Sequence, residues 1–511
     1  MTPHSSRASS RAVIPAIFLI FLLLPSHPHA AAPVQLTVLH MNDLHGHILS
    51  FTDKNVGADT PVGGAAAFGG LIREERARNP EGTLLLSAGD MFQGTPVSNV
   101  FRGEPVIFIM NHLRFDAMAL GNHEFDWGLS ALDRLRSLAD FPFLSSNITD
   151  ASGRNLPGVK SYVLLKRKGL SIAVIGVTTP ETRYSTKPAN VSNLVFLDPA
   201  KAIIPLIREV RRQGASFIIV LSHLGLDADK KLAARVRGIN LIVGGHTHTV
   251  VNNPLKVRKT IITQAGCYGL YLGIMQLTID PKTGSILGYT TQNELEPVIA
   301  EAKAPVDAEA AHIADEYNNR VKAEFSKEVG ETRVDLLRRA DGESNVGNLI
   351  GDAMREDTGA DIAFQNGGGI RTDLPKGKIT LEEVYTLLPF DNLLVTMDLK
   401  GSQVLSALEW SVASGSKVLQ VSGISVTYDM SRAAGSRVVS ATVRHEPLKP
   451  ERTYRVTTND FLAAGGDRFK AFMEGRNPIY GDTIRDAFTM YLRKHSPVSP
   501  AIENRVVFIG Q

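Results

Sequence analysis

Between residue 34 and about residue 290, short apolar runs alternate with amphipathic stretches. VQLTVL (34–39), TLLLSA (83–88), AMAL (117–120), SIAVIGV (171–177), FIIVLS (217–222), NLIVGG (240–245) and TIITQ (260–264) have the length and composition of strands, with little polar interruption. Such runs fit strands covered on both faces. Between them lie segments such as PAKAIIPLIREVRRQG (199–214), apolar along one helical stripe and stopped by Gly214. The alternation predicts an α/β unit with substantial, largely buried sheets.

The pattern changes around residues 300–330. Ile313, Tyr317, Val321 and Phe325 recur every fourth position with charge on the other faces, which predicts an amphipathic helix bridging two units. A second α/β unit is expected over 331–511. It opens with a helix whose Val346, Leu349, Ile350, Ala353 and Met354 share one face and which Gly359 can end.

The first residues read differently. Arg7 and Arg11 precede AVIPAIFLIFLLLP, and Ala30 and Ala32 follow in an A-x-A arrangement. A basic start, a short apolar core and small residues at the end predict a secretory signal peptide over 1–32, cut after Ala32. The apolar run is short for a membrane-spanning helix, no cysteine near the junction offers a lipid site, and ENRVVFIGQ at the far end is no glycolipid signal. The expected division is therefore a leader (1–32), a first domain (33–299), a linker helix (300–330) and a second domain (331–511), with a periplasmic or secreted location and no stable membrane anchor after cleavage.

Composition changes this picture little. The chain is 43% hydrophobic and 21% charged, as expected of a folded globular protein. The formal net charge is +3, and the two leader arginines account for part of it, so no electrostatic footprint for a nucleic acid polymer is present. Cys267, the single cysteine, cannot form an intramolecular disulfide and reads as a small buried apolar residue.

The chemistry gathers where strands run out. After VQLTVL come His40, Asp43, His45 and His47; after TLLLSA, Asp90; after AMAL, Asn122 and His123; after FIIVLS, His223; after NLIV, His246 and His248. Open α/β sheets carry functional groups at the carboxyl ends of their strands. One such residue is no more than a turn or a core histidine, but this ordered set predicts a metal site. Mixed imidazole and carboxylate donors suit zinc, manganese, iron or cobalt, whereas calcium takes oxygen ligands. Asp43, His45, Asp90, Asn122, His223, His246 and His248 are too many for one ion and enough for two sharing a carboxylate, an arrangement that clamps the attacking and leaving oxygens of a phosphoryl displacement.

D-x-H, GD, GNHE, a lone strand-end histidine and GHTH, in that order, resemble the calcineurin-like metallophosphoesterases. MNDLHGH (41–47) and GNHEFDWG (121–128) look like the 5'-nucleotidase branch, as do NGGGIR (366–371), LLPFDN (387–392) and NDFLAAGGD (459–467) for its C-terminal domain. The resemblance implies an N-terminal β-sandwich flanked by helices, a linker helix and a second α/β substrate-binding domain. It assigns Asp43, His45 and His248 to one divalent ion, Asn122, His223 and His246 to the other, and Asp90 to both. Relatives often carry glutamine where His248 stands, a difference bearing on metal preference. His123, oriented by Asp126, would donate to the phosphoryl oxygens.

In the second domain three glycines allow close backbone approach to an anion, and Arg371 offers a forked donor. By resemblance, Asn366, Arg371 and Asn392 belong to the substrate site, Phe390 and Phe461 stack on a nucleobase, and Asp467 accepts from ribose hydroxyls. An arginine found just before SNVGNL in some relatives is replaced here by the stretch Gly342–Ser344, with Arg338 and Arg339 a few residues earlier. The expected reaction is release of phosphate from a nucleoside 5'-phosphate, with a metal-bound hydroxide attacking in line and domain rotation about the linker opening the cleft. UDP-sugar hydrolysis and 2',3'-cyclic-nucleotide phosphodiesterase or 3'-nucleotidase activity stay open, because they share the metal core. A sulfur-oxidation hydrolase and a non-enzymatic nucleotide receptor fit less well: the first does not account for NGGGIR and the paired phenylalanines, the second for seven ligands.

Overall fold

The computed structural model describes Met1, Thr2 and residues 32–53, 56, 60–290, 292, 294–301, 305–339, 341–413 and 418–510. Residues 3–31, which carry the expected leader, lie outside the described residues. Among the described residues no helix is long and apolar enough to cross a membrane.

Two large sheets form the core of the first unit. In one, the strands Val34–Met41, Thr83–Ser87, Ala117–Ala119 and Phe143–Leu144 run parallel, and Tyr271–Ile279 pairs antiparallel with Val34–Met41. In the other, Leu170–Thr178, Phe217–His223, Leu241–Gly244 and Thr260–Thr263 run parallel between antiparallel edge strands. All seven apolar runs read from the sequence form these strands.

Strand periodicity explains why the runs are continuous rather than alternating. Leu36, Val38, Leu84, Leu86, Ile172, Val174, Ile219 and Leu221 point between the two sheets. Their neighbours Leu39, Met41 and Leu85 pack under the helices of one flank, and Ala173, Ile175, Ile218 and Val220 under those of the other. The helix Pro199–Arg212 covers the second flank, its first turn capped by the Asp198 carboxylate on the Lys201 N–H. On the first flank lies the helix Ala308–Phe325, with Ala310, Ala314, Tyr317, Val321 and Phe325 buried in that core. The bridging helix is thus part of the first unit's packing, and its last ring, Phe325, meets Tyr385 of the second unit edge-on at 4.7 Å.

The second unit centres on a five-stranded sheet ordered Gln420–Ser422, Ile362–Gln365, Thr453–Asn459, Leu393–Lys400, Arg476–Thr483. The expected helix spans Asn345–Thr358, capped by Ser344 at its start and by left-handed Gly359 (φ 64°) at its end. Strands Ile362–Gln365 and Thr453–Asn459 are parallel, and Leu393–Lys400 is antiparallel to the latter. NGGGIR and NDFLAAGGD therefore leave the same sheet edge at which LLPFDN enters, so three sequence-distant loops share one end.

Candidate metal centre and adjoining cleft

Asp43, Asp90, Asn122, His223, His246 and His248 all follow or end parallel strands of the two sheets, and the sandwich brings both sets of carboxyl ends together. Among the described residues three groups have donor atoms within 4.8 Å of one another: Asp43, His45 and His248; Asp90, His223 and His246; and His45, Asp90 and His123. Asp90 belongs to two of them. His223 Nε2 lies 2.9 Å from Asp90 Oδ2, His248 Nε2 lies 3.4 Å from Asp43 Oδ1, and the Nε2 atoms of His45 and His248 are 3.2 Å apart. Backbone strain accompanies the cluster. Asp43, His45, Asp90, His246 and His248 all adopt positive φ, between 50° and 77°. Left-handed non-glycine residues cost about 1–3 kcal/mol each and persist where surrounding contacts leave no alternative.

The inner faces of these residues are arranged for cations. His45 Nδ1 lies 2.8 Å from the Gln93 carbonyl and His223 Nδ1 lies 2.7 Å from the Ala88 carbonyl. A carbonyl only accepts, so in each ring Nδ1 carries a proton and Nε2 is the nitrogen left facing the centre. The Asn122 amide is fixed by donation to the Ser185 carbonyl (3.2 Å), leaving Oδ1 buried without a hydrogen-bond partner among the described residues; His223 Nε2 is likewise buried and makes no aligned hydrogen bond, with Asp90 Oδ2 beside it as an ion-pair neighbour. Burial presses His246 down to about 4 and holds His45 and His248 below the usual imidazole range, favouring the neutral form that ligates. His223 departs from this: burial works against its charge, but Asp90 and Asp43 outweigh it. Asp43 and Asp90 are pushed up by burial yet held below the usual carboxylate range by the neighbouring histidines. The donor set and the two orphaned atoms fit a pair of divalent ions.

Close packing requires glycine at two points. A Cβ on Gly121 would stand 2.2 Å from Asp90 Oδ1, and one on Gly245 2.9 Å from His223 Nδ1. Glu124, the last residue of GNHE, escaped notice in the sequence as a site residue. Its buried carboxylate accepts the backbone N–H groups of Gly121 (2.6 Å), Asp90 (2.8 Å) and Met91 (2.9 Å), tying two ligand loops together. His123 donates its backbone N–H to Asp90 Oδ1 (2.8 Å), and its Nδ1 sits 2.6 Å from Asp126 Oδ2.

His40 and His47, singled out beside Asp43 and His45, stay outside the cluster. His40 turns between the sheets, where Nε2 meets Glu294 Oε1 at 2.5 Å, and Thr263 donates to the other oxygen of that carboxylate. His47 stacks on Tyr268 at 4.3 Å, and Tyr268 in turn packs edge-on against His45 and His248.

The shared loop edge of the second unit faces this centre. Arg371 Nη2 approaches His45 Nε2 to 3.3 Å, and the Phe390 ring stacks on His123 at 5.5 Å. Pro389, next to Phe390, offers its carbonyl to Gln93 Nε2 (3.1 Å) and Asn99 Nδ2 (2.9 Å) of the first unit. Asn366 lies 3.5 Å from Asp467 and accepts from Asn459 at 2.8 Å; Asn392 donates to Asp460 at 2.9 Å; the Phe461 ring lies over Gly466. A cleft of about 700 Å³, lined in part by His45, His47, Tyr268, Arg338 and Arg371, opens between the units. Arg338 lies in it with its backbone N–H on Asp373 at 2.7 Å, whereas Arg339 pairs with Asp341 on the surface.

One carboxyl group behind the centre titrates abnormally. Asp229, fully buried, bonds Ser222 through one oxygen and has no partner for the other among the described residues; burial pushes its pKa up to about 8, against small opposing effects of Ser222 and His223. The folded chain then keeps a proton that the unfolded chain has lost, so stability falls as pH rises from about 4 to about 8. In chelator, Asp229→Asn is expected to gain melting temperature relative to the parent as pH is raised from 5 to 8. A difference between the two proteins that does not vary with pH would contradict this.

Sequence profiles agree with both units. Residues 36–250 match the calcineurin-like phosphoesterases and residues 324–474 the 5'-nucleotidase C-terminal domain. The human 5'-nucleotidase is 33% identical over 567 aligned positions, covering 99% of this chain and 96% of that protein. A snake venom 5'-nucleotidase from Crotalus adamanteus is 34% identical, covering 94% and 90%. The crystal structure of a 5'-nucleotidase precursor from Thermus thermophilus superposes with a TM-score of 0.87 at 37% identity, covering 94% of this chain and all of that one. A Thermus sulfate thiohydrolase, at 24% identity and a TM-score of 0.80, shares the fold. With two profiles in series, near-complete coverage by curated relatives and a clustered set of metal donors, the chain belongs to the 5'-nucleotidase family of calcineurin-like phosphoesterases and is a phosphoric ester hydrolase that works with two divalent metal ions.

Proposed function

We propose that this chain is an exported enzyme, periplasmic or secreted, that releases phosphate from nucleoside 5'-monophosphates. The observation that carries the reading is the meeting of the two units: Arg371 and Phe390 reach His45 and His123, so a phosphate at the metal centre has a cation and an aromatic ring from the nucleoside side within reach.

In this reading Asp43, His45 and His248 would hold one ion, Asn122, His223 and His246 the other, and Asp90 would serve both. Divalent ions there supply charge neutralisation at the phosphoryl oxygens and activation of water. The chain's own groups do the rest. Asp126 fixes His123 by Nδ1, leaving Nε2 to face the phosphoryl group. Burial disfavours the charged ring, but Asp126 and Asp90 outweigh it and raise the His123 pKa. Donation is strongest where negative charge builds up in the transition state. Arg371 would pair with the phosphate, Phe390 and Phe461 would stack on the base, Asp467 would take the ribose hydroxyls, and Asn366 and Asn392 would contact the substrate beside them. With a first domain at 33–299, a linker at 300–330 whose helix packs on it and a second domain at 331–511, each half of the substrate would have its own unit.

The test is phosphate release from a panel of AMP, ATP, UDP-glucose, 3'-AMP and 2',3'-cyclic AMP. AMP is expected to be the preferred substrate, with activity lost in chelator and restored by a divalent ion. Preference for UDP-glucose or the cyclic nucleotide would replace the reading, and activity indifferent to chelation would end it.

A further inference from the structure

A loop that carries none of the motif residues touches both halves of the site. It follows the strand Leu170–Thr178 and contains two short helical turns, Thr182–Ser185 and Pro188–Val191. One side grips the metal centre. The Ser185 carbonyl accepts from Asn122, the Thr186 hydroxyl donates to Asp126 Oδ1 at 2.6 Å, and Asn190 donates to the carbonyls of Phe125 (2.9 Å) and Asp126 (2.7 Å). The other side meets the second unit. Lys187 Nζ donates to Asp460 Oδ2 at 2.7 Å, and Arg468 donates to Glu181 at 2.8 Å while lying 5.1 Å over the Tyr184 ring. Asp460 and Arg468 stand beside Phe461 and Asp467, on the nucleoside-side loop.

Asp126 is thereby held at both oxygens. Oδ2 takes the His123 ring and Oδ1 takes the Thr186 hydroxyl, which is buried at 2% exposure. A carboxylate with one oxygen fixed by a buried donor presents the other in a single direction, and that direction aims the imidazole. Lys187, the contact to the second unit, is the next residue in the chain.

We propose that Thr186 is a positioning residue for His123, and that the 181–190 loop couples seating of the second unit to the aim of that histidine. Engagement of Glu181 and Lys187 by Arg468 and Asp460 holds the loop down, and Thr186 then sets Asp126. This rests on the reading of His123 as the group facing the phosphoryl oxygens.

The experiment is steady-state phosphate release from AMP by the full chain with saturating divalent ion. Thr186→Val removes the hydroxyl and little else; Thr186→Ser keeps it. Thr186→Val is expected to lower kcat about tenfold, the lower end of what loss of an outer hydrogen-bond partner costs, with KM within about twofold and metal content unchanged. Thr186→Ser should return kcat to within about twofold of the parent. The pair Glu181→Gln and Lys187→Met should also lower kcat, and adding Thr186→Val to it should lower kcat no further than Thr186→Val alone, because all act through one carboxylate. Parental kcat in Thr186→Val, failure of serine to restore it, or losses that multiply in the triple variant would overturn the proposal while leaving the proposed reaction intact. A parent chain that releases no phosphate from AMP would remove both.

Discussion

Asp90→Asn is expected to fold, to lose bound metal, and to release phosphate from AMP at least about a thousandfold more slowly than the parent. Its carboxylate, like the His45 ring, belongs to two of the three clusters found among the described residues, and both of its oxygens are engaged, Oδ2 against His223 and Oδ1 accepting the His123 N–H. Loss of an outer partner of a metal ligand costs roughly 10–100-fold in affinity or activity, and a carboxylate serving two ions must exceed that. The amide keeps the shape and, through its oxygen, the bond to the His123 backbone. What it removes is the negative charge that would be shared by the two cations. Thermal unfolding in chelator separates folding from metal loss: the variant should melt close to the parent there and gain far less on adding metal, since an ion that binds only the folded state stabilises it in proportion to occupancy. Two equivalents of metal retained at parental turnover would refute the shared role.

The sequence displayed these residues because of how parallel sheets are built. Each strand is a continuous apolar run, and the next few residues fall on one edge of the sheet, so chemistry at that edge is written as a local strand-then-polar pattern. The same rule, applied one step further, separates His40 from Asp43. His40 shares its parity with Leu36 and Val38, which places it between the sheets, and there it meets Glu294 and Thr263. What stayed hidden depends on contacts with no period. Glu124 stood in plain view in GNHE, but its partners come from two loops, and only their closeness in space gives it work. The 181–190 loop has neither strand nor helical pattern in its sequence, and it acts through one carbonyl, that of Ser185, and scattered polar side chains, Glu181, Thr186, Lys187 and Asn190. The linker helix was visible from its spacing, yet nothing in that spacing says which unit its apolar stripe joins; Phe101 and Phe108 of the first unit, which pack against Tyr317 of the helix, decide it. In the second unit the three loops were legible as motifs, while their common edge follows from strand directions fixed only by pairing.

Replacing His123 with alanine should act on a different step from replacing Asp90. His123 shares a cluster with His45 and Asp90, but its Nδ1 is committed to Asp126 and its ring to the Phe390 face. The ions should therefore stay, and the loss should fall on the charge that develops at the phosphoryl group. Removing one preorganised donor to such charge costs about 10²–10³ in kcat. His123→Ala is accordingly expected to bind two equivalents of metal, to keep KM for AMP within an order of magnitude, and to lose kcat on that scale. Asp126→Asn should lose less, because the ring remains and only its aim is relaxed. The stacking on Phe390 supplies the rival account, in which the imidazole is a platform that seats the second unit. On that account KM would rise steeply with kcat nearly unchanged, and His123→Phe, which restores a ring but no donor, would recover the parent's behaviour. Failure of His123→Phe to recover kcat, with metal content intact, assigns the effect to the donated proton rather than to the ring.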